Sequence, residues 1–296
     1  MERELWRRIV WALKRLPRRS PLRGVYSNRQ ILAVLLWAAM HDRAVSWACD
    51  RRNWPVQAWR RRLPDQSTMS RRLRDAALLE DFERLVAILQ CRGPAAGSTL
   101  IVDGKPLAVS EFTADHEAVT GWGAGRHAKG YKLHALIDDT RRLMAWEVRP
   151  MKDSEQAVAC VLVSRAAARG VLPQGATLLG DANYDSRHLY AAADTAGLRL
   201  IAPRRLPGTG FDKARPIHPD RLQAIAAMEN DPGFARRFRS HRATIERYFG
   251  ALATVGGGLH ALPSWARRLH RVRAWVGAKV VLHTARSTSG NTSVAA

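Results

Sequence analysis

The chain has 296 residues, 46% of them hydrophobic, enough for one large domain or two modest ones and too apolar for a disordered polypeptide. Lys and Arg number 48 against 26 Asp and Glu, a formal net charge of +22 with a pI near 11.3, which points to a polyanionic partner. Most of the cations are arginines, whose planar forks suit phosphate and guanine, so nucleic acid is favoured over anionic lipid.

Taken in chain order, the N-terminal segment is basic and amphipathic, with Trp6, Ile9, Leu13 and Leu16 on one helical stripe. It lacks a signal-peptide cleavage pattern. The stripe suits a docking helix, with a transit peptide or a membrane-surface helix as alternatives. Residues 30–40 form a strongly apolar helix, and a second follows around 44–52. The longest apolar run, 31–39, is too short to cross a bilayer. Pro64 stops what precedes it, and Asp65 or Ser67 can cap a further helix with Met69, Leu73 and Ala76 on its apolar side. Arg71, Arg72 and Arg74 then lie elsewhere on its surface, available to a DNA groove. The arrangement fits a helix-turn-helix reader as well as an ordinary solvated arginine face. Residues 1–92 are therefore expected to be a helical DNA-binding region, with the stretch 93–98 a hinge.

Over residues 99–235 the pattern switches to short apolar runs alternating with helical segments, as in an α/β domain, residues 236–286 return to arginine-rich helix, and a flexible tail, 286–296, is expected. Residues 100–102 read as a strand running into Asp103. Residues 131–137 and 143–148 read as a hairpin turning at 138–140. An alanine-rich helix spans 153–169 and stops at Gly170. A strand at 177–179 leads to Asp181, a helix covers 186–196, and a short strand covers 199–202. After a Pro/Gly/Arg-rich loop, 203–219, an arginine-rich helix carries Glu246. On it Arg242 and Glu246 share one face, whereas Ile245, Phe249 and Leu252 form a core stripe.

Asp103 and Asp181 at the ends of neighbouring strands, with Glu246 on a covering helix, could share one crevice. Three acids there would repel unless divalent cations neutralise them. Mg²⁺ suits such hard oxygen ligands and completes its shell with water and phosphate. Each acid also has a structural reading: Asp103 opening a turn at Gly104, Asp181 capping the next helix as Asp185 or Ser186 could, and Glu246 in an intrahelical ion pair. Cys49, Cys91 and Cys160 are isolated, with neither disulfide nor zinc spacing, and indicate a reducing compartment. Among the accessory positions, His134 suits a hydrogen-bonded structural role before a ligand role, and Tyr184 a core aromatic before a base-stacking one. Trp122 lies in a Gly-rich loop, residues 120–130, that could contact DNA. That loop has no P-loop spacing, so no nucleotide cofactor is indicated.

The words "IVDGK" at Asp103, "KGYKLH" on the hairpin, "GDANYD" at Asp181 and "RATIERYFGAL" around Glu246 resemble the DDE transposases of bacterial insertion sequences. The resemblance covers roughly 99–285, and the helical N-terminal part is similar to that family's DNA-binding region. It implies a ribonuclease H-like mixed sheet flanked by helices, with Asp103, Asp181 and Glu246 as the catalytic, metal-binding triad. It further implies two Mg²⁺ (or Mn²⁺) ions, cleavage at the element's ends and transfer of a 3′-hydroxyl strand to target DNA. Double-stranded DNA would be the partner, both terminal inverted repeats and target, gripped by Arg71, Arg72, Arg74, Lys129, Lys132, Arg239, Arg242 and Arg247. A homodimer on DNA is implied, in the bacterial cytoplasm at the nucleoid, with no membrane. The family often carries a Tyr, Arg, Glu, Lys series around the last acid. Arg242 and Glu246 match it, but Arg239 stands at the tyrosine position and Ala253 at the lysine position. A catalytically decayed or repurposed DNA-binding protein, or a nuclease without strand transfer, is the alternative.

Overall fold

The computed structural model describes residues 2–19, 25–55, 62–90, 97–123, 125–205, 217–254 and 258–287. In chain order it contains helices α1 (Glu2–Arg15), α2 (Asn28–Met40), α3 (Val45–Ala48), α4 (Gln66–Arg72) and α5 (Ala76–Gln90). Strands follow: β1 (Thr99–Ala108), β2 (Val119–Gly123), β3 (Arg126–Asp138) and β4 (Leu143–Pro150). Then come α6 (Glu155–Ala168), β5 (Thr177–Leu179), α7 (Arg187–Thr195), β6 (Arg199–Ile201), α8 (Pro219–Asn230), α9 (Pro232–Thr254) and α10 (Leu269–Ser287). Two compact units result, residues 1–91 with 251–296, and residues 92–250. The division falls at 250/251, inside the stretch read from sequence as one 99–285 domain. Most of the hinge at 93–98 and nearly all of the 286–296 tail lie outside the described residues.

The first unit is helical. Helix α2 is apolar on nearly all sides and buried almost throughout, so it forms the unit's centre rather than a surface element. A capping box closes its start: Ser27 and Gln30 satisfy each other's backbone N–H groups. The expected stripe of α1 is inside, with Ile9 and Leu16 fully buried, so α1 is a docked helix. Trp6, Trp37 and Trp54 cluster, Trp37 stacking on Trp54 at 4.9 Å. Helix α10 joins this unit, and Arg8 Nη1 donates to the Ala285 carbonyl at 2.9 Å. The buried Lys279 ammonium donates to the Ala39 carbonyl (2.8 Å) and pairs with Asp42. No helix among the described residues is long and apolar enough to cross a membrane.

Helix α4 starts where expected, with Asp65 accepting the Thr68 N–H at 2.6 Å, but it runs only to Arg72. Met69 and Leu73 are buried, whereas Ala76 is exposed and begins α5. The segment read as a second helix at 44–52 is shorter, a single turn (α3) followed by a 3₁₀ turn at Arg51–Asn53.

The second unit is a mixed six-stranded sheet. β3 is antiparallel to β1 on one side, and on the other it pairs with β2 over residues 126–130 and with β4 over 131–137. β5 runs parallel to β1, and β6 parallel to β5. The anticipated hairpin is β3–β4. Its turn is held by Asp138, which accepts from the Thr140 hydroxyl (2.7 Å) and the Arg142 N–H (2.8 Å). Strand β2 was read as part of a Gly-rich loop, because glycines weaken a strand signal. Here they are needed for close approach: a Cβ on Gly121 would lie 2.6 Å from the Met151 carbonyl oxygen. Asp181 consequently follows the fifth strand of the sheet rather than the fourth.

One face of the sheet presents Leu100, Val102, Leu136 and Leu178 to α6 and α7, which supply Val158, Leu162, Leu189 and Tyr190. Each fully buried aliphatic side chain there contributes roughly 2 kcal/mol. Ser154 caps α6, accepting from the Ala157 N–H, and Gly170 ends it in the left-handed region at φ 63°.

Candidate active site

The register of the central strands brings the first two acids together. β1 and β5 are parallel neighbours with Ile101 opposite Leu179. Asp103 and Asp181 each lie two residues further on, so both emerge at the same end of the sheet. Asp103 is still on β1, and its Oδ1 accepts the Gly104 N–H at 2.8 Å. Asp181 caps the 3₁₀ turn Ala182–Tyr184, its Oδ1 accepting the Asn183 N–H at 2.8 Å. Backbone donors thus fix one oxygen of each carboxylate, and the other oxygens converge on a single cation. Arg242 of α9 donates from Nη2 to Asp103 Oδ2 at 2.9 Å, and its Nη1 lies 3.9 Å from Asp181 Oδ2.

The three side chains are partly withdrawn from solvent. Burial raises the Asp103 pKa to about 6; Arg242 and the Gly104 N–H oppose this, and the charges of Asp181 and Glu155 add to it. Glu155, on the first turn of α6, was not singled out from sequence. It pairs with the buried ammonium of Lys132, which also donates to the Trp122 carbonyl at 3.0 Å. Gly104 makes room for this: a Cβ there would sit 2.8 Å from Lys132 Cδ. Tyr184 is fully buried, and its hydroxyl has no hydrogen-bond partner among the described residues. Burial raises its pKa well above the usual value, and the charges of Asp103, Glu155 and Asp181 raise it further. Gln156 Nε2 donates to the Asn183 carbonyl at 2.5 Å, tying the start of α6 to the turn after Asp181.

Glu246 does not join this group. It lies one turn beyond Arg242 on the same side of α9, exposed, while Ile245, Phe249 and Leu252 are buried as their stripe required. Among the described residues, no set of three His, Cys, Asp or Glu side chains is gathered closely enough to hold a metal ion. Arg239 and Arg247 are exposed, the latter donating to Thr244 Oγ1 at 2.9 Å. Lys129 is half-buried and donates to the Thr113 carbonyl at 3.2 Å. Lys132 is committed to the interior as described. Arg71 and Arg74 are exposed, the latter just past the end of α4, whereas Arg72 donates to the Tyr26 carbonyl at 3.2 Å. His134 is buried, but contrary to the hydrogen-bonded role expected, neither ring nitrogen has a partner among the described residues. Trp122 stands on β2, 58% exposed, edge-on to His127. Cys49 and Cys160 are free, and Cys91 lies outside the described residues.

The two acids thus stand at one end of the adjacent parallel strands β1 and β5, in a mixed α/β sheet with α6 and α7 packed on one face. Residues 94–281 match the family described as the transposase DDE domain, and the chain belongs to that family. Among solved structures it is similar to a piggyBac transposase synaptic complex with hairpin DNA, with TM-score 0.48 and 10% identity. That match covers 97% of this chain and 73% of the other. It is also similar to a Mos1 transposase paired-end complex with the left transposon end, with TM-score 0.25, 13% identity and coverage of 79% and 83%. No curated protein matches the chain.

Proposed function

We propose that this chain is a metal-dependent DNA transposase that cleaves at the ends of an insertion sequence and transfers the freed 3′-hydroxyl strand to target DNA. The observation that carries the reading is the convergence of Asp103 Oδ2 and Asp181 Oδ2 on one cationic group, in a chain of the transposase DDE domain family. The donor set suits a hard divalent cation: two carboxylates, each with one oxygen fixed by a backbone N–H and the other directed at positive charge. Asp103 and Asp181 would hold Mg²⁺ or Mn²⁺, with Glu246 completing a triad for two ions. Such ions supply Lewis-acid stabilisation of the attacking and leaving oxygens of an in-line phosphoryl displacement.

The chain's own residues do the rest. Arg242 grips the scissile phosphate or orients Glu246. Arg239 and Arg247, exposed on the same helix, and Lys129 on β3 neutralise neighbouring phosphates. Arg71, Arg72 and Arg74 contribute to holding the terminal inverted repeats within a DNA-binding region over 1–92. The 99–285 stretch acts as the catalytic domain, and two copies work on paired ends in the bacterial cytoplasm at the nucleoid. Lys132 belongs with the DNA contacts only if its pairing with Glu155 opens.

A second reading, a decayed or repurposed DNA-binding protein, is favoured by the exposure of Glu246 and by Ala253 at the lysine position. A strand-transfer assay on the DNA flanking the gene separates them. Joined products in Mg²⁺ that vanish in Asp103→Ala, Asp181→Ala and Glu246→Ala support the transposase. DNA binding with no cleavage in either metal supports the decayed reading, and cleavage without joining indicates a nuclease.

A further inference from the structure

Both outward carboxylate oxygens of the site face one guanidinium. Arg242 Nη2 lies 2.9 Å from Asp103 Oδ2 and Nη1 lies 3.9 Å from Asp181 Oδ2. Among the described residues, no other Lys, Arg or His makes an ion pair with either acid. The remaining oxygens accept the Gly104 and Asn183 N–H groups, which orients each carboxylate with its other oxygen toward Arg242. The side chains of Asp103 and Arg242 are each 18% exposed, so solvent screens their contact only partly. A divalent cation bound through these oxygens would need them at about 2.1 Å. The guanidinium stands against those same oxygens, and two cations held side by side there would repel each other.

We infer that Arg242 is a built-in counter-ion that holds the two-acid site in the metal-free protein and must leave when a divalent cation enters, which frees its guanidinium for a DNA phosphate. This rests on the metal-dependent reading above. In this exchange no covalent bond is made or broken; one cation replaces another on two carboxylates. Without metal, the acids are neutralised and the pocket stays folded. With metal, the displaced arginine gains a free fork one turn from Glu246, where bidentate phosphate contact is open to it. Cation and DNA then bind cooperatively, because each relieves the charge the other leaves unpaired.

The experiment uses full-length, DNA-free protein titrated with Mn²⁺, free ion being read by electron paramagnetic resonance. Arg242→Gln is expected to bind Mn²⁺ more tightly by roughly fivefold or more, and Arg242→Lys, which keeps the charge, to stay near wild type. Unchanged or weaker binding in Arg242→Gln overturns the inference. Should that variant fail to fold, wild-type protein decides: phenylglyoxal modification of Arg242, mapped by mass spectrometry, should accelerate when Mn²⁺ is added. Equal or slower modification overturns it. Asp103→Asn and Asp181→Asn separate the two levels. If they leave Mn²⁺ binding intact, the metal site itself is wrong; if they abolish it while Arg242→Gln changes nothing, only the counter-ion role fails.

Discussion

In the helical unit the buried Lys279 reaches an Asp42 carboxylate that is itself 52% exposed, whereas in the sheet unit the buried Lys132 meets a Glu155 carboxylate that is only 19% exposed. The same contrast holds for the arginines. Arg71 and Arg74 stand in solvent, and Arg242 is drawn into a pocket with two acids. These charges of the helical unit lie in or next to water, where pairing contributes little. The sheet unit gathers opposite charges at one end of the central strands, where removing any member leaves another uncompensated. A strongly cationic composition says nothing about this division. What separates a solvated arginine from a site arginine is the carboxylate the fold sets against it.

The largest test of that contrast is chemical. Replacing Asp103 or Asp181 with Ala should lower divalent-cation affinity by more than about 100-fold and eliminate cleavage of end-containing DNA. Calorimetric titration with Mn²⁺ would expose a merely structural role, in which affinity persists while the melting temperature falls. Next in size is the pair of buried lysines. Lys132→Met strands Glu155 and should cost about 3 kcal/mol in urea unfolding, whereas Lys279→Met leaves Asp42 in water and should cost about 1 kcal/mol or less. Equal losses would dissolve the distinction between the units.

A smaller effect comes from His134. Burial, then the neighbouring Lys132 and Arg149 charges, lower its pKa from 6.5 to about 3, so the folded protein keeps the ring neutral. Its stabilising contribution is complete above pH 6.5 and is lost as pH falls toward 3, since the unfolded chain takes up the proton first. Between pH 6.5 and 5 this should remove about 2 kcal/mol, a loss absent in His134→Gln when the two are compared by chemical denaturation. Smallest of all, Arg71→Ala and Arg74→Ala should each flatten the salt dependence of DNA binding by about one unit of slope, with little sequence preference in the loss. An unaltered slope would mark these side chains as solvated surface.

Much of the sheet unit could be read in advance because its elements obey local rules. The run 177–179 matched β5, the turn at 138–140 carries its own Asp and Thr partners, and Gly170 stops α6 with a backbone conformation other residues avoid. Strand β2 escaped because its glycines are explained only by Met151 and Pro106, residues distant in the chain. Glu155 escaped for a similar reason: a glutamate on the first turn of a helix looks like an ordinary favourable dipole contact until a lysine from β3 is seen beside it.

The sequence by itself determined most of the elements other than β2, the cationic excess, the acid-bearing words and the family they belong to, since each is written in the chain without reference to distant contacts. Only the tertiary structure decided that Asp103 and Asp181 share Arg242, that Lys132 turns inward, and that Glu246 is left exposed. Those outcomes depend on strand register and on which charges meet out of water, and both are settled between segments separated by up to 139 positions along the chain.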